Sequence, residues 1–171
     1  MPGGSLKSIV LFLAIFISIP AQSIEIENFK SGLMCGINKD DMGWVCFEQE
    51  DIKITGQSSC VSNGQEHKCT WYGYSFEYRD AKPDQKIDCK FWDSEPVRNI
   101  NLEGVVSDPS KYIELSFTLA QTEGYFINPQ YSVLEPSDSE KISEITQNVS
   151  CSSEGVEIYN YKFITVQSAG K

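Results

Sequence analysis

The stretch Tyr112-Ile113-Glu114-Leu115-Ser116-Phe117-Thr118-Leu119 decides the fold class. Ile113, Leu115, Phe117 and Leu119 take every second position, with Tyr112, Glu114, Ser116 and Thr118 between them. Successive side chains of a strand point to opposite faces, so this period of two predicts a half-buried β-strand. The same pattern recurs on either side. Ile87, Cys89 and Phe91 alternate with Asp88, Lys90 and Trp92; Ile52 and Ile54 alternate with Asp51, Lys53 and Thr55; Tyr159, Tyr161 and Phe163 repeat near the C-terminal end. Turn formers punctuate these runs at Asn63-Gly64, Lys82-Pro83-Asp84, Ser94-Glu95-Pro96, Asp108-Pro109-Ser110, Glu123-Gly124 and Asn128-Pro129. The expectation is an all-β chain, an antiparallel sandwich of Greek-key type.

One short helix at most is expected, near 138–148. Ser137 and Glu140 have capping-box spacing after Pro136, and Ile142, Ile145 and Val149 follow at i, i+3 and i+7. No repeat or linker-like tract divides the chain.

The first 23 residues read as an export signal. Lys7 precedes an apolar run of 11 residues from Ile9 to Ile19, Pro20 ends it, and Ala21-Gln22-Ser23 fits a cleavage site. The run is about half of what a membrane span requires. The expected product is a single secreted β domain, 24–171, extracellular or periplasmic, with no membrane span. The whole chain has 171 residues and a formal net charge of −10; the leader carries one lysine and no acid, so 24–171 carries −11. Such a balance repels the phosphate backbone and excludes nucleic acid as the natural partner.

Six cysteines, Cys35, Cys46, Cys60, Cys69, Cys89 and Cys151, all follow the leader, and an even count behind an export signal reads as disulfides. Six allow 15 pairings. A hairpin centred on Asp40-Asp41 puts Cys35 opposite Cys46. A four-residue loop from Asn63 to Glu66 puts Cys60 opposite Cys69, leaving Cys89 for Cys151. On the chain-entropy model each short bridge contributes about 2.8 kcal/mol at most and the long one about 4.3. The cysteines lack the close pairs that zinc sites use, so no metal and no cofactor is expected.

A bridge from Cys89 to Cys151, the number of strands and the nearby tryptophans resemble an immunoglobulin-like sandwich in architecture. Trp92 follows the first of these cysteines by only three positions, so the central-tryptophan signature is missing.

The most unusual segment is Trp71-Tyr72-Gly73-Tyr74-Ser75-Phe76-Glu77-Tyr78. Tyr72, Tyr74, Phe76 and Tyr78 share one strand face, which serves either as an aromatic core or as a sugar platform. Trp44, Trp71 and Trp92 fall on the less apolar sides of their strands, so they are candidates for exposed contacts. Asn148-Val149-Ser150 is a glycosylation sequon, relevant in a eukaryotic host. His67, the only histidine, is placed in a hairpin loop, and no Gly-x-Ser-x-Gly elbow accompanies it. Asp40-Asp41 and Glu48-Gln49-Glu50-Asp51 lack the alternating pattern of a calcium loop, so they read as solvated faces. The chain therefore reads as a non-enzymatic binding protein with a protein or glycan partner. Its acidity suits an inhibitor of a secreted basic protein; the alternative is a carbohydrate-binding module using Trp71, Tyr72 and Tyr74.

Overall fold

The computed structural model describes residues 24–38, 40–62, 64–97, 107–134 and 143–167. Those residues form strands and turns, with no helix among them. The strands are β1 (Glu25–Cys35), β2 (Trp44–Glu48), β3 (Asp51–Ile54), β4 (Ser58–Ser62), β5 (Gln65–Arg79), β6 (Gln85–Val97), β7 (Ser110–Leu119), β8 (Gly124–Val133), β9 (Ser143–Ser153) and β10 (Val156–Gln167). One sheet runs β2-β1-β5-β4, with β8 on the other side of β5; the second runs β3-β10-β9-β6-β7. The two sheets pack face to face as the sandwich that the alternation predicts. All strand pairs are antiparallel except β3 with β10, which is parallel.

The inward face of β5 supplies the centre of the core. Tyr74 and Phe76 are fully buried and meet Tyr159 from the opposite sheet with ring centroids 5.6 and 5.0 Å away. Phe29 joins them through a bulge in β1 between Glu27 and Lys30, where Asn28 takes φ 50°. The extra residue re-aims the next side chain. Phe29 lies 5.5 Å from Tyr159 and 6.0 Å from Tyr74. Ile52 and Ile54 of β3 are buried with Tyr72 and Phe163 in a second cluster. On β6, Ile87, Cys89 and Phe91 point inward as the alternation requires.

Two bridges form. Cys89 and Cys151 are direct partners in the β6–β9 ladder, with Cα atoms 4.1 Å apart. This bridge joins neighbouring strands of one sheet, whereas the immunoglobulin bridge ties two sheets together. Cys35 and Cys46 are also bonded, but the hairpin centre lies one residue earlier than Asp40-Asp41. Cys35 pairs with Trp44 and Leu33 with Phe47, so Cys46 falls in the intervening bulge and its thiol still reaches Cys35.

Three expectations are corrected. Cys60 and Cys69 are buried thiols and not a third bridge. Ser62 pairs with Gln65 and not with His67, so the expected four-residue loop does not form. Cys60 then faces His67, and Cys69 faces Ser58. That register also moves His67 from a loop into β5. The bound of at most one short helix holds among the described residues: positions 143–148, where it was placed, belong to β9, which is held on both sides by β6 and β10, and 138–142 lie outside the described residues. The expected leader, 1–23, lies outside them too.

Candidate functional site

Burial sorts the aromatic candidates first. Tyr72 is 7% exposed and Tyr74 0%, so the β5 tyrosine face is core and not a sugar platform. Its hydroxyls find partners inside: Tyr159 donates to Tyr74 at 3.2 Å, and Ser132 lies 3.4 Å from the Tyr72 hydroxyl. Burial pushes the Tyr72 and Tyr74 hydroxyls further above their ordinary titration range. Trp71, on the other face of β5, is tied to its own sheet. Its indole N–H donates to the Ser59 carbonyl at 3.2 Å, and its ring lies 4.7 Å from Tyr131.

Trp44 is 54% exposed at the start of the edge strand β2. Its ring occupies the space beside Gly36, where a Cβ would come within 2.1 Å of it. Gly36 also has φ 75°, so only glycine fits that approach comfortably.

Trp92 stands apart. It points outward from β6, 41% exposed, and lies 5.8 Å from Tyr112 of β7, which is 42% exposed. The ladder makes them direct partners and extends the row to Asn148 of β9 and Lys162 of β10. Lys162 meets Glu50 at 3.5 Å. The next row holds Glu114, Lys90, Ser150 and Asn160, with Lys90 and Glu114 3.9 Å apart. Tyr112 donates its hydroxyl to Glu114, and that carboxylate holds the phenol above its usual range. The Glu157 carboxylate accepts from Ser150 Oγ at 2.8 Å and Asn160 Nδ2 at 3.0 Å, and these two bonds lower its pKa.

An open groove of about 690 Å³ includes Trp92, Asn148, Ser150, Asn160 and Lys162 and reaches Phe29 of β1. Its volume lies within the range of about 300–1,000 Å³ usual for small-molecule sites. Of the candidates named from the sequence, the ladder brings together only Trp92 and the sequon residue Asn148, which is exposed. Tyr112, Glu157 and Asn160 were not anticipated. Tyr112 belongs to the polar set of the very stretch that declares β7, and only the β6–β7 register places it beside Trp92.

No described group gathers three or more His, Cys, Asp or Glu side chains at metal-binding distance. Burial, with each thiol beside the other, raises the pKa of Cys69, and burial raises that of Cys60. These are the conditions of an inert thiol rather than a nucleophile.

No protein-family model matches this chain, and no curated protein matches it in sequence. Among solved structures it is similar to an immunoglobulin-like protein from Pseudomonas aeruginosa, at 9% identity and a TM-score of 0.49, over 85% of this chain and 98% of that one.

Proposed function

We propose that the chain is an exported, non-catalytic binding domain whose contact surface is the outer face of the second sheet, centred on Trp92 and Tyr112. The observation that carries this reading is the placement of two half-exposed aromatic rings side by side, in a row continued by Asn148 and Lys162 and next to a row of Glu114, Lys90, Ser150 and Asn160. Such rings contribute large contact area at low entropic cost, and they are enriched where proteins bind other molecules. The two disulfides suit an oxidising compartment outside the cytosol. The acidic balance favours a basic or uncharged partner over an anionic one.

The test is an array of secreted basic proteins and immobilised glycans probed with the wild-type chain and with a Trp92→Ala, Tyr112→Ala double variant. A ligand captured by the wild type and lost by the variant supports this surface. Capture that is unchanged in the variant moves the site elsewhere. Turnover of any captured ligand by the wild type would overturn the non-catalytic reading.

A further inference from the structure

We infer that the Trp92–Tyr112 face binds an uncharged saccharide, with a pyranose ring stacked on Trp92 and its hydroxyls met by Asn148 and by the Ser150–Glu157–Asn160 cluster. The inference rests on the binding surface proposed above and names the class of its ligand.

Main-chain recognition is closed off at the centre of this face and is open only along the outer edge of β7. β6 is paired on both sides by β7 and β9, and β9 by β6 and β10, so the backbone donors and acceptors beneath the face are in use. A peptide cannot add as a further strand beside Trp92 or Asn148, which stand on strands paired on both sides. Recognition must come from side chains standing on the sheet.

Those side chains suit a neutral polyol. The two lysines beside Trp92 are compensated, Lys162 by Glu50 and Lys90 by Glu114, and further along β6 Lys86 meets Asp88 at 3.2 Å, so no positive field beside the rings selects a phosphate or sulfate. Glu157 is fixed by two donors, Ser150 and Asn160, and a carboxylate still has lone pairs for a ligand hydroxyl. Asn148 offers a donor and an acceptor from one exposed carboxamide, matching the dual character of a sugar hydroxyl.

The apolar half of the contact is supplied by the rings. An aromatic face is the negative end of its quadrupole, and the axial C–H bonds of a pyranose present weakly positive hydrogens to it. Trp92 and Tyr112 are inclined at 50° to each other. That angle makes a shallow wedge, which seats the face of one sugar against the indole and its edge against the phenol. The groove beyond Trp92 continues over Asn148 and Lys162, giving room for a neighbouring residue of the same chain.

The experiment uses the chain exported from a bacterial host, so that Asn148 carries no glycan. It is titrated to about 10 mM with hexasaccharides of the cello-, xylo-, manno- and chito- series, followed by amide NMR shifts and calorimetry. At least one series should bind saturably, with shifts confined to β6, β7, β9 and β10. Trp92→Ala should weaken that binding tenfold or more and Tyr112→Ala severalfold, whereas Trp44→Ala should leave it unchanged. Circular dichroism confirms that each variant is folded, and Tyr112→Phe, which keeps the ring, should retain binding.

No shift with any of the four series overturns the inference. Shifts that persist in Trp92→Ala overturn it as well, and so does tighter binding of a polyuronate or sulfated chain than of the neutral ones. If the saccharides fail while a protein from the array still depends on Trp92, the ligand class falls and the binding surface stands. If both fail, both fall.

Discussion

Phe91 and Trp92 are neighbours on β6, yet the first is 3% exposed and the second 41%. One step along a pleated strand separates the inner aromatic layer from the outer row. Inside, Tyr74, Phe76, Phe126, Tyr159 and Phe29 touch one another and close over their own hydroxyls. Outside, Trp92 and Tyr112 touch each other and leave half of each ring to solvent. The residue types are the same; the face decides whether a ring serves stability or contact. The comparison implies that substitutions on the two faces should separate cleanly, with the inner ones moving stability and the outer ones moving binding.

The strongest test removes a ring from the inner layer. Tyr74→Ala should cost about 3–5 kcal/mol, the range for truncating a buried aromatic, and the chain should unfold at markedly lower denaturant. Tyr74→Phe keeps the ring and removes the acceptor of the Tyr159 hydroxyl, so it should cost about 1 kcal/mol. A Tyr74→Ala variant with near wild-type stability would dissolve the distinction between the faces.

The bridges give the next largest effect. Replacing both Cys89 and Cys151 by alanine should cost about 4 kcal/mol at most, since the bond spans 62 positions, whereas replacing Cys35 and Cys46 should cost less because it closes a shorter loop of 11. Thermal unfolding of the two double variants, side by side, checks the order. Equal losses would show that unfolded-chain entropy is not what ranks them.

Much of this was legible in the sequence, and the failures share a cause. Period-two alternation located β3, β6, β7 and the middle of β10, because in each an apolar run takes every second position: Ile52 and Ile54, Ile87 to Phe91, Ile113 to Leu119, and Tyr159 to Phe163. On β9 the inward row is Ile145, Gln147, Val149 and Cys151, and the glutamine interrupts the period. What remained visible was Ile142, Ile145 and Val149 at helical spacing. The parallel pairing of β3 with β10 joins segments more than a hundred residues apart and leaves no local mark. Which face of β5 is inward is likewise a property of the packed sheets. Both of its faces carry aromatics, so composition alone left Tyr72 and Tyr74 open as a platform. The Trp92–Tyr112 pair depends on the β6–β7 register, which the sequence does not spell out.

The glutamine that hid β9 has a chemical partner. Gln147 donates its amide to Asp93 Oδ1 at 3.1 Å, while Asp93 Oδ2 and Gln147 Oε1 have no partner, both on the inner side of the sheet. Burial raises the Asp93 pKa against the lowering effect of that hydrogen bond, and the fold thus favours the neutral acid. A raised folded-state pKa means that its contribution to stability is full below the unfolded-state value. It is lost as pH rises through the folded one. Asp93→Asn keeps the shape, stays neutral and supplies a donor, so it should stabilise the chain by about 1 kcal/mol at pH 7. The gain should vanish under acid conditions, where the wild-type carboxyl is protonated. Denaturant midpoints across the acid-to-neutral range test this, and a gain independent of pH would mean that Asp93 is already neutral throughout.

The smallest expected effect is the most informative about the outer row. Trp92→Ala removes a half-exposed ring from a sheet whose ladder is made by backbone groups, and its side chain lies across the sheet from the aromatic core. Its cost to stability should stay within about 1 kcal/mol, near the range of ordinary surface substitutions. Tyr112 loses a ring contact but keeps its bond to Glu114, so the β7 edge should hold its register. A surface aromatic kept for contact predicts this combination of intact stability and lost binding. If Trp92→Ala instead unfolds the chain as readily as Tyr74→Ala, the ring is a structural member of the sheet. The division between the two faces would then fail on the side where function was placed.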